Sequence, residues 1–187
     1  MHGMKAALRA LVLLAVGLAP VLLDAQTLPL RQEYKLKAAF IYNFLQFIEW
    51  PSGAFSSKDS PLVIGVYDQD ELTALLQILV DTELINNRRI VVRRLTDTSD
   101  FSSCQLIFVP RTHANAMPDI ISQTDGKNVL TVGESKGFAR NGGAINFYVE
   151  ENKLRFEVNR SVLKRSNLQA SSRLLRLARI VESGGGS

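Results

Sequence analysis

Leu62-Val63-Ile64-Gly65-Val66-Tyr67 is an unbroken apolar run of strand length, and a short acidic turn leads from it into the helical pattern of 71–80. That pairing decides the fold class, because a strand with no polar side must be covered on both faces, and a helix directly after it supplies one cover. Asp68 stands where it would cap that helix. Downstream, Arg88-Arg89-Ile90-Val91-Val92-Arg93-Arg94-Leu95 reads as a strand with charged ends, and 104–109 as a second, fully buried one. A helix over 114–122 and a strand over 128–132 continue the alternation. These elements make an α/β fold: a single domain with a mixed, mainly parallel sheet, covered by helices on both faces.

Toward the C-terminus, 144–149 and 153–159 alternate apolar and polar residues about Glu150-Glu151-Asn152, a C-terminal β-hairpin. Ile145, Phe147, Val149, Leu154, Phe156 and Val158 should share its buried face, with Arg155 and Glu157 pointing outward. A closing helix over 161–181 would turn Leu168, Ser171, Leu174, Leu175, Ala178 and Val181 inward. Upstream, 33–50 carries Leu36, Phe40, Phe44 and Phe47 at helical spacing, widened by Ile41, Leu45 and Ile48, and Pro51 ends it. A face this broad must be covered by the rest of the domain or by a partner.

The start of the chain is different in kind. His2, Lys5 and Arg9 precede an apolar run from Ala10 to Leu23, too short to cross a hydrocarbon core of about 30 Å as a helix. Ala25 offers a small residue for cleavage before Gln26. Residues 1–25 therefore read as a secretory signal peptide, 26–182 as the α/β domain and 183–187 as a flexible tail. Loss of Lys5, Arg9 and Asp24 takes two positive charges and one negative from the formal +4, leaving +3, a mild excess that implies no nucleic-acid partner. With 46% hydrophobic and 21% charged residues, the chain has the balance of a globular domain.

Reactive chemistry is sparse. Behind the leader stand one histidine, His113, and one cysteine, Cys104, at opposite ends of a predicted strand, so neither a metal site nor a Cys–His pair is expected. No catalytic residue, metal or cofactor is assigned. No G-x-G-x-x-G or G-x-x-x-x-G-K sequence occurs. Gly133-Glu134-Ser135-Lys136-Gly137 follows a strand and either offers backbone N–H groups to an anion or is a plain turn. A small ligand would be met at strand ends, by Tyr67, Asp68, Arg111, Gly133 and Ser135. Lys164, Arg165, Arg173, Arg176 and Arg179 make the last helix basic, either as a solvated face or as a surface for an acidic partner.

Two segments carry a family likeness: Leu36-Lys37-Ala38-Ala39-Phe40-Ile41-Tyr42-Asn43-Phe44 ending in Glu49-Trp50-Pro51, and Gly143-Ala144-Ile145-Asn146-Phe147 through Leu154-Arg155-Phe156-Glu157-Val158-Asn159 to Ser171-Ser172-Arg173-Leu174-Leu175. Together they resemble the YfiR-like family. The resemblance implies a non-enzymatic periplasmic regulator that binds and represses the periplasmic sensor region of an inner-membrane signalling protein, a diguanylate cyclase or another sensor. It implies relief by an outer-membrane lipoprotein, and thus control of cyclic-di-GMP and biofilm formation. No catalytic residues come with it. The departure is Cys104, which stands alone where such proteins use disulfides. Partner-binding candidates are Tyr42, Phe44 and Trp50 on the first helix and Arg173, Arg176 and Arg179 on the last, with a homodimer left open. The alternative is a periplasmic small-ligand-binding sensor that uses the strand-end loops.

Overall fold

The structure, a computed structural model, describes residues 30–96, 101 and 103–184. The expected leader 1–25, its cleavage point near Ala25 and residues 185–187 lie outside them. Helix α1 (Leu30–Phe47) buries Tyr34, Lys37, Ala38, Ile41, Phe44 and Leu45. The stripe is turned slightly from the expected one, leaving Leu36 exposed. The helix also stops short of 50, because Ile48–Glu49 is a short strand, β1.

The βα alternation follows as expected: β2 (Leu62–Tyr67), α2 (Asp70–Val80), β3 (Leu84–Ile85), β4 (Arg88–Leu95), β5 (Leu106–Val109), α3 (Met117–Thr124) and β6 (Leu130–Gly133). Asp68 does not cap α2. Its backbone is left-handed at φ 44°, and Gln69 is the cap instead, its side chain accepting from the Glu71 N–H. The hairpin β7 (Ile145–Glu150) and β8 (Lys153–Asn159) turns on Glu151 and Asn152, with φ of 50° and 58°. Positive φ at both turn positions matches the twist of the strands. Two of the residues assigned a side above depart from the simple alternation. Val149 is exposed, because β7 runs on past its last pair with β6, Gly133 opposite Asn146. Glu157 is buried and accepts from Asn146 Nδ2 at 3.2 Å.

The expected closing helix is broken into α4 (Arg160–Arg165), β9 (Gln169–Ala170), α5 (Ser172–Leu177) and β10 (Arg179–Val181). Asn167, at φ 53°, turns the chain just after α4 in left-handed backbone. Ser171 then caps α5 by accepting from the Leu174 N–H. Leu168, Leu174 and Val181 are nonetheless buried. Apolar spacing that suits one long helix also suits two short helices separated by a turn, so the inward residues survive while the helix does not.

Among the described residues, eight strands form one sheet in the order β10-β8-β7-β6-β5-β2-β4-β3. The pairs are parallel except β7 with β8 and β3 with β4. α1 and α2 cover one face, closing a core that includes Ile64, Val66, Phe108, Val132 and Val158. α3 covers part of the other, where Ile120 meets Val63, Ile107, Val109 and Phe138. Phe44 is at the centre of the first core, its ring 5.7 Å from Phe147 and 5.1 Å from Phe156. Replacing it, Phe44→Ala, should lower unfolding free energy by about 3–5 kcal/mol, the cost of emptying a buried aromatic site. Chemical denaturation reads this directly; a residue serving a partner would leave the midpoint unchanged.

Candidate functional site

In a parallel sheet the connections leave at the carboxyl ends of the strands, and the crevice lies where neighbouring strands send their chains to opposite sides. Here β2 connects through α2 to β4 on one side, and β5 connects through α3 to β6 on the other. The loops holding Tyr67, Asp68, Arg111, Gly133 and Ser135 do converge at these ends. Tyr67 sets its ring edge-on to His113, with centroids 5.1 Å apart. His113 Nε2 lies 3.2 Å from Asp68 Oδ2, and Arg94 pairs with both Asp68 and Asp70. Asp68 is thus held by two neighbours rather than turned toward a ligand.

The crevice is filled by a group the apolar pattern hid. Lys37, on the inward stripe of α1, has a side chain only 2% exposed. Its ammonium lies 2.5 Å from Glu33 Oε1 and also pairs with Glu134 Oε2. Arg111 joins from the loop after β5: its backbone N–H donates to Glu134 Oε1 at 3.0 Å, and its Nη2 is 3.3 Å from Glu33 Oε1. Two cations and two carboxylates therefore balance around the strand ends. Tyr34 stands beside them, its hydroxyl accepting from Gln69 Nε2 at 2.8 Å. Burial, followed by the charges of Glu134 and Glu33, pushes the Tyr34 hydroxyl above its ordinary value, so it stays protonated. Lys37→Met should cost about 3 kcal/mol, because it leaves two carboxylates facing one another out of water. The melting temperature should fall by about 6–12 °C for a chain of this size, and scanning calorimetry checks it.

Gly133 ends β6 under the ring of Phe138, where a Cβ would sit 2.5 Å from the ring. It is a packing glycine. Ser135 lies just beyond it, at the edge of an open groove of about 470 Å³ that Arg111, Lys136 and Asn146 also line.

The partner candidates do not form one surface. Phe44 is wholly buried, so it belongs to the core and not to an interface. Tyr42 donates to Glu83 Oε2 at 2.7 Å, a bond that raises its hydroxyl pKa and ties α1 to the chain entering β3. Trp50 is half-buried and donates from Nε1 to the Gln105 carbonyl at 3.2 Å. Arg173 lies over the Phe47 ring at 5.5 Å, whereas Arg179 lies over Tyr148 at 4.4 Å and pairs with Glu150 at 2.6 Å. Arg176 is exposed.

What the fold does bring together is the two family-like segments. β1 and β9 pair antiparallel, Ile48 with Ala170 and Glu49 with Gln169, and Ser171 N–H donates to the Phe47 carbonyl at 2.9 Å. Beside this ladder opens a groove of about 700 Å³ lined by Pro51, Arg160, Leu163, Lys164, Leu168, Gln169 and Leu175, among others. Reading 161–181 as one helix hid it, since the turn after α4 makes its wall. Among the described residues, no group of three or more His, Cys, Asp or Glu side chains is placed to hold a metal ion. None of the described helices is long and apolar enough to cross a membrane.

A family model described as YfiR/HmsC-like matches residues 34–179. No curated protein matches the chain. Among solved structures, a conserved domain protein from Vibrio cholerae O1 biovar El Tor is similar at TM-score 0.52 and 11% identity, covering 79% of this chain and 59% of that one. This chain thus spans about three fifths of that protein's length, and the likeness is one of fold. The ABC domain from Streptococcus pneumonia, solved in complex with L-Trp, reaches TM-score 0.47 at 11% identity over 64% of this chain and 55% of that one. A likeness that weak bears on neither fold nor function.

Proposed function

The chain belongs to the YfiR/HmsC-like family, and from that premise we propose that it is a non-enzymatic periplasmic regulator that docks on the periplasmic sensor region of an inner-membrane signalling protein. The partner we infer is a diguanylate cyclase, repressed by the docking and released when an outer-membrane lipoprotein competes. Export would depend on residues 1–25. The observation that carries the docking surface is the groove at the ladder between β1 and β9. Leu163 and Leu168 are buried in its wall and Leu175 is half-buried, while Arg160 and Lys164 stand exposed at its rim. An apolar floor whose rim carries two cations, Arg160 and Lys164, against one carboxylate, Glu182, suits a segment that inserts an apolar side chain and carries acidic neighbours, the floor supplying affinity and the rim orientation.

A photocrosslinking side chain at Gln169 in living cells should capture an inner-membrane protein with a periplasmic region. The same probe at Lys127, exposed after α3, should capture none. Lys164→Glu should cut the captured yield by about tenfold, by turning rim attraction into repulsion. Deleting the gene should raise cyclic-di-GMP and biofilm; unchanged levels would end the cyclase reading.

A further inference from the structure

We propose that the groove past the end of β6 is a binding site for a small hydroxycarboxylate, gripped by Arg111, Ser135, Lys136 and Asn146. The site is separate from the groove beside β1 and β9, so its test passes or fails independently of the docking reading. It forms because β7 continues beyond its last pair with β6. Its floor and walls come from that free length of β7, from the loop after β6 and from the helical turn that begins at Arg111.

Two buried polar atoms mark it. Asn146 is 3% exposed, and its Nδ2 donates to Glu157 Oε1 at 3.2 Å. A carboxylate accepts only, so that bond fixes which end of the amide is nitrogen. The Asn146 oxygen is then the buried atom that has no hydrogen-bond partner among the described residues, and Asn146 lines the groove. Ser135 Oγ, on the neighbouring loop, is also a buried atom with no hydrogen-bond partner among the described residues. Buried polar atoms without partners are few in native proteins and each costs free energy. Two lining one groove point to a ligand that supplies the missing partners.

The surrounding charge selects its chemistry. Lys136 is exposed and makes no ion pair among the described residues. The Arg111 side chain is 61% exposed, and only its Nη2 is spent on Glu33 and Glu134, which leaves donors of its five-donor fork for a carboxylate. Glu134 does not oppose an anion there, because its two oxygens are taken by Arg111 N–H and Lys37. The Asn146 oxygen calls for a donor. An ammonium would meet two cations, so the donor is a neutral hydroxyl, and Ser135 Oγ likewise lacks a partner among the described residues. Tyr148 and Val149 also line the groove.

Calorimetric titration of the purified protein with L-malate, set against succinate, isolates the hydroxyl. L-malate should bind saturably with Kd of about 1 mM or below, and succinate about tenfold more weakly, the worth of one hydrogen bond. Lys136→Gln, at an exposed position that cannot threaten folding, should weaken L-malate by about tenfold. Asn146→Ala should abolish the preference over succinate; Ser135→Ala should reduce it and serves as the second reading if Asn146→Ala, which strips Glu157 of its partner, does not fold. The proposal is overturned if none of L-malate, L-lactate and glycolate binds, if succinate equals L-malate, or if Lys136→Gln binds L-malate unchanged.

Discussion

The Lys37 ammonium lies on the one stripe of α1 that must face the sheet, and the fold can bury it only because Glu33 and Glu134 meet it there. Taking a charge out of water is expensive, and the attraction of enclosed partners recovers that cost only where geometry is close and all lone pairs are used. Glu33 is one helical turn away on α1, whereas Glu134 comes from the loop after β6 and Arg111 from the loop after β5. One cation thus fixes the rotation of α1 about its axis, its depth over the sheet and the positions of two strand-end loops. Apolar contacts of Ile41, Phe44 and Leu45 supply the bulk of the burial, yet they would tolerate a small rotation. The ion cluster does not.

Why the sheet was legible and its edges were not follows from the range of the forces involved. β2 and β5 are found where their patterns place them, because strands buried by both neighbours announce themselves as apolar runs. The breaks in 160–181 depend on backbone conformation at Asn167 and on the Ser171 cap, and neither disturbs the apolar spacing from which the long helix was read. Strand β1 is set by its partner, Ala170 opposite Ile48, across more than a hundred residues of chain, so nothing local marks it.

The site was legible as loops and illegible as chemistry. Position after a strand puts Asp68, Arg111 and Ser135 in the loops at the strand ends, since the rule for parallel sheets is topological. What each does there depends on partners far along the sequence: Arg94 for Asp68, Glu33 for Arg111. Lys37 was missed because lysine is almost never fully buried unless it is paired, and its partner Glu134 is distant in sequence. Asn146 was missed for a related reason. In an alternating strand it sits between Ile145 and Phe147 as an ordinary outward residue, and only the buried Glu157 on β8 shows it to be enclosed.

α1 connects the two grooves physically. Its N-terminal half is held at the strand ends through Glu33, Lys37 and Arg111, the last of which lines the groove beyond β6. Its C-terminal end runs into β1, whose ladder with β9 borders the other groove. A helix of 18 residues is about 27 Å long. Displacement at one end reaches the other only if some element along the way has a second arrangement to adopt. The ladder is only two residue pairs long, as short as those of β3 with β4 and of β6 with β7, whereas the aromatic packing of Phe44 against Phe147 and Phe156 resists sliding along its whole contact. Arg111 shares itself between Glu33 and Glu134 at one end of α1, and the short ladder with β9 is what holds the chain at the other end.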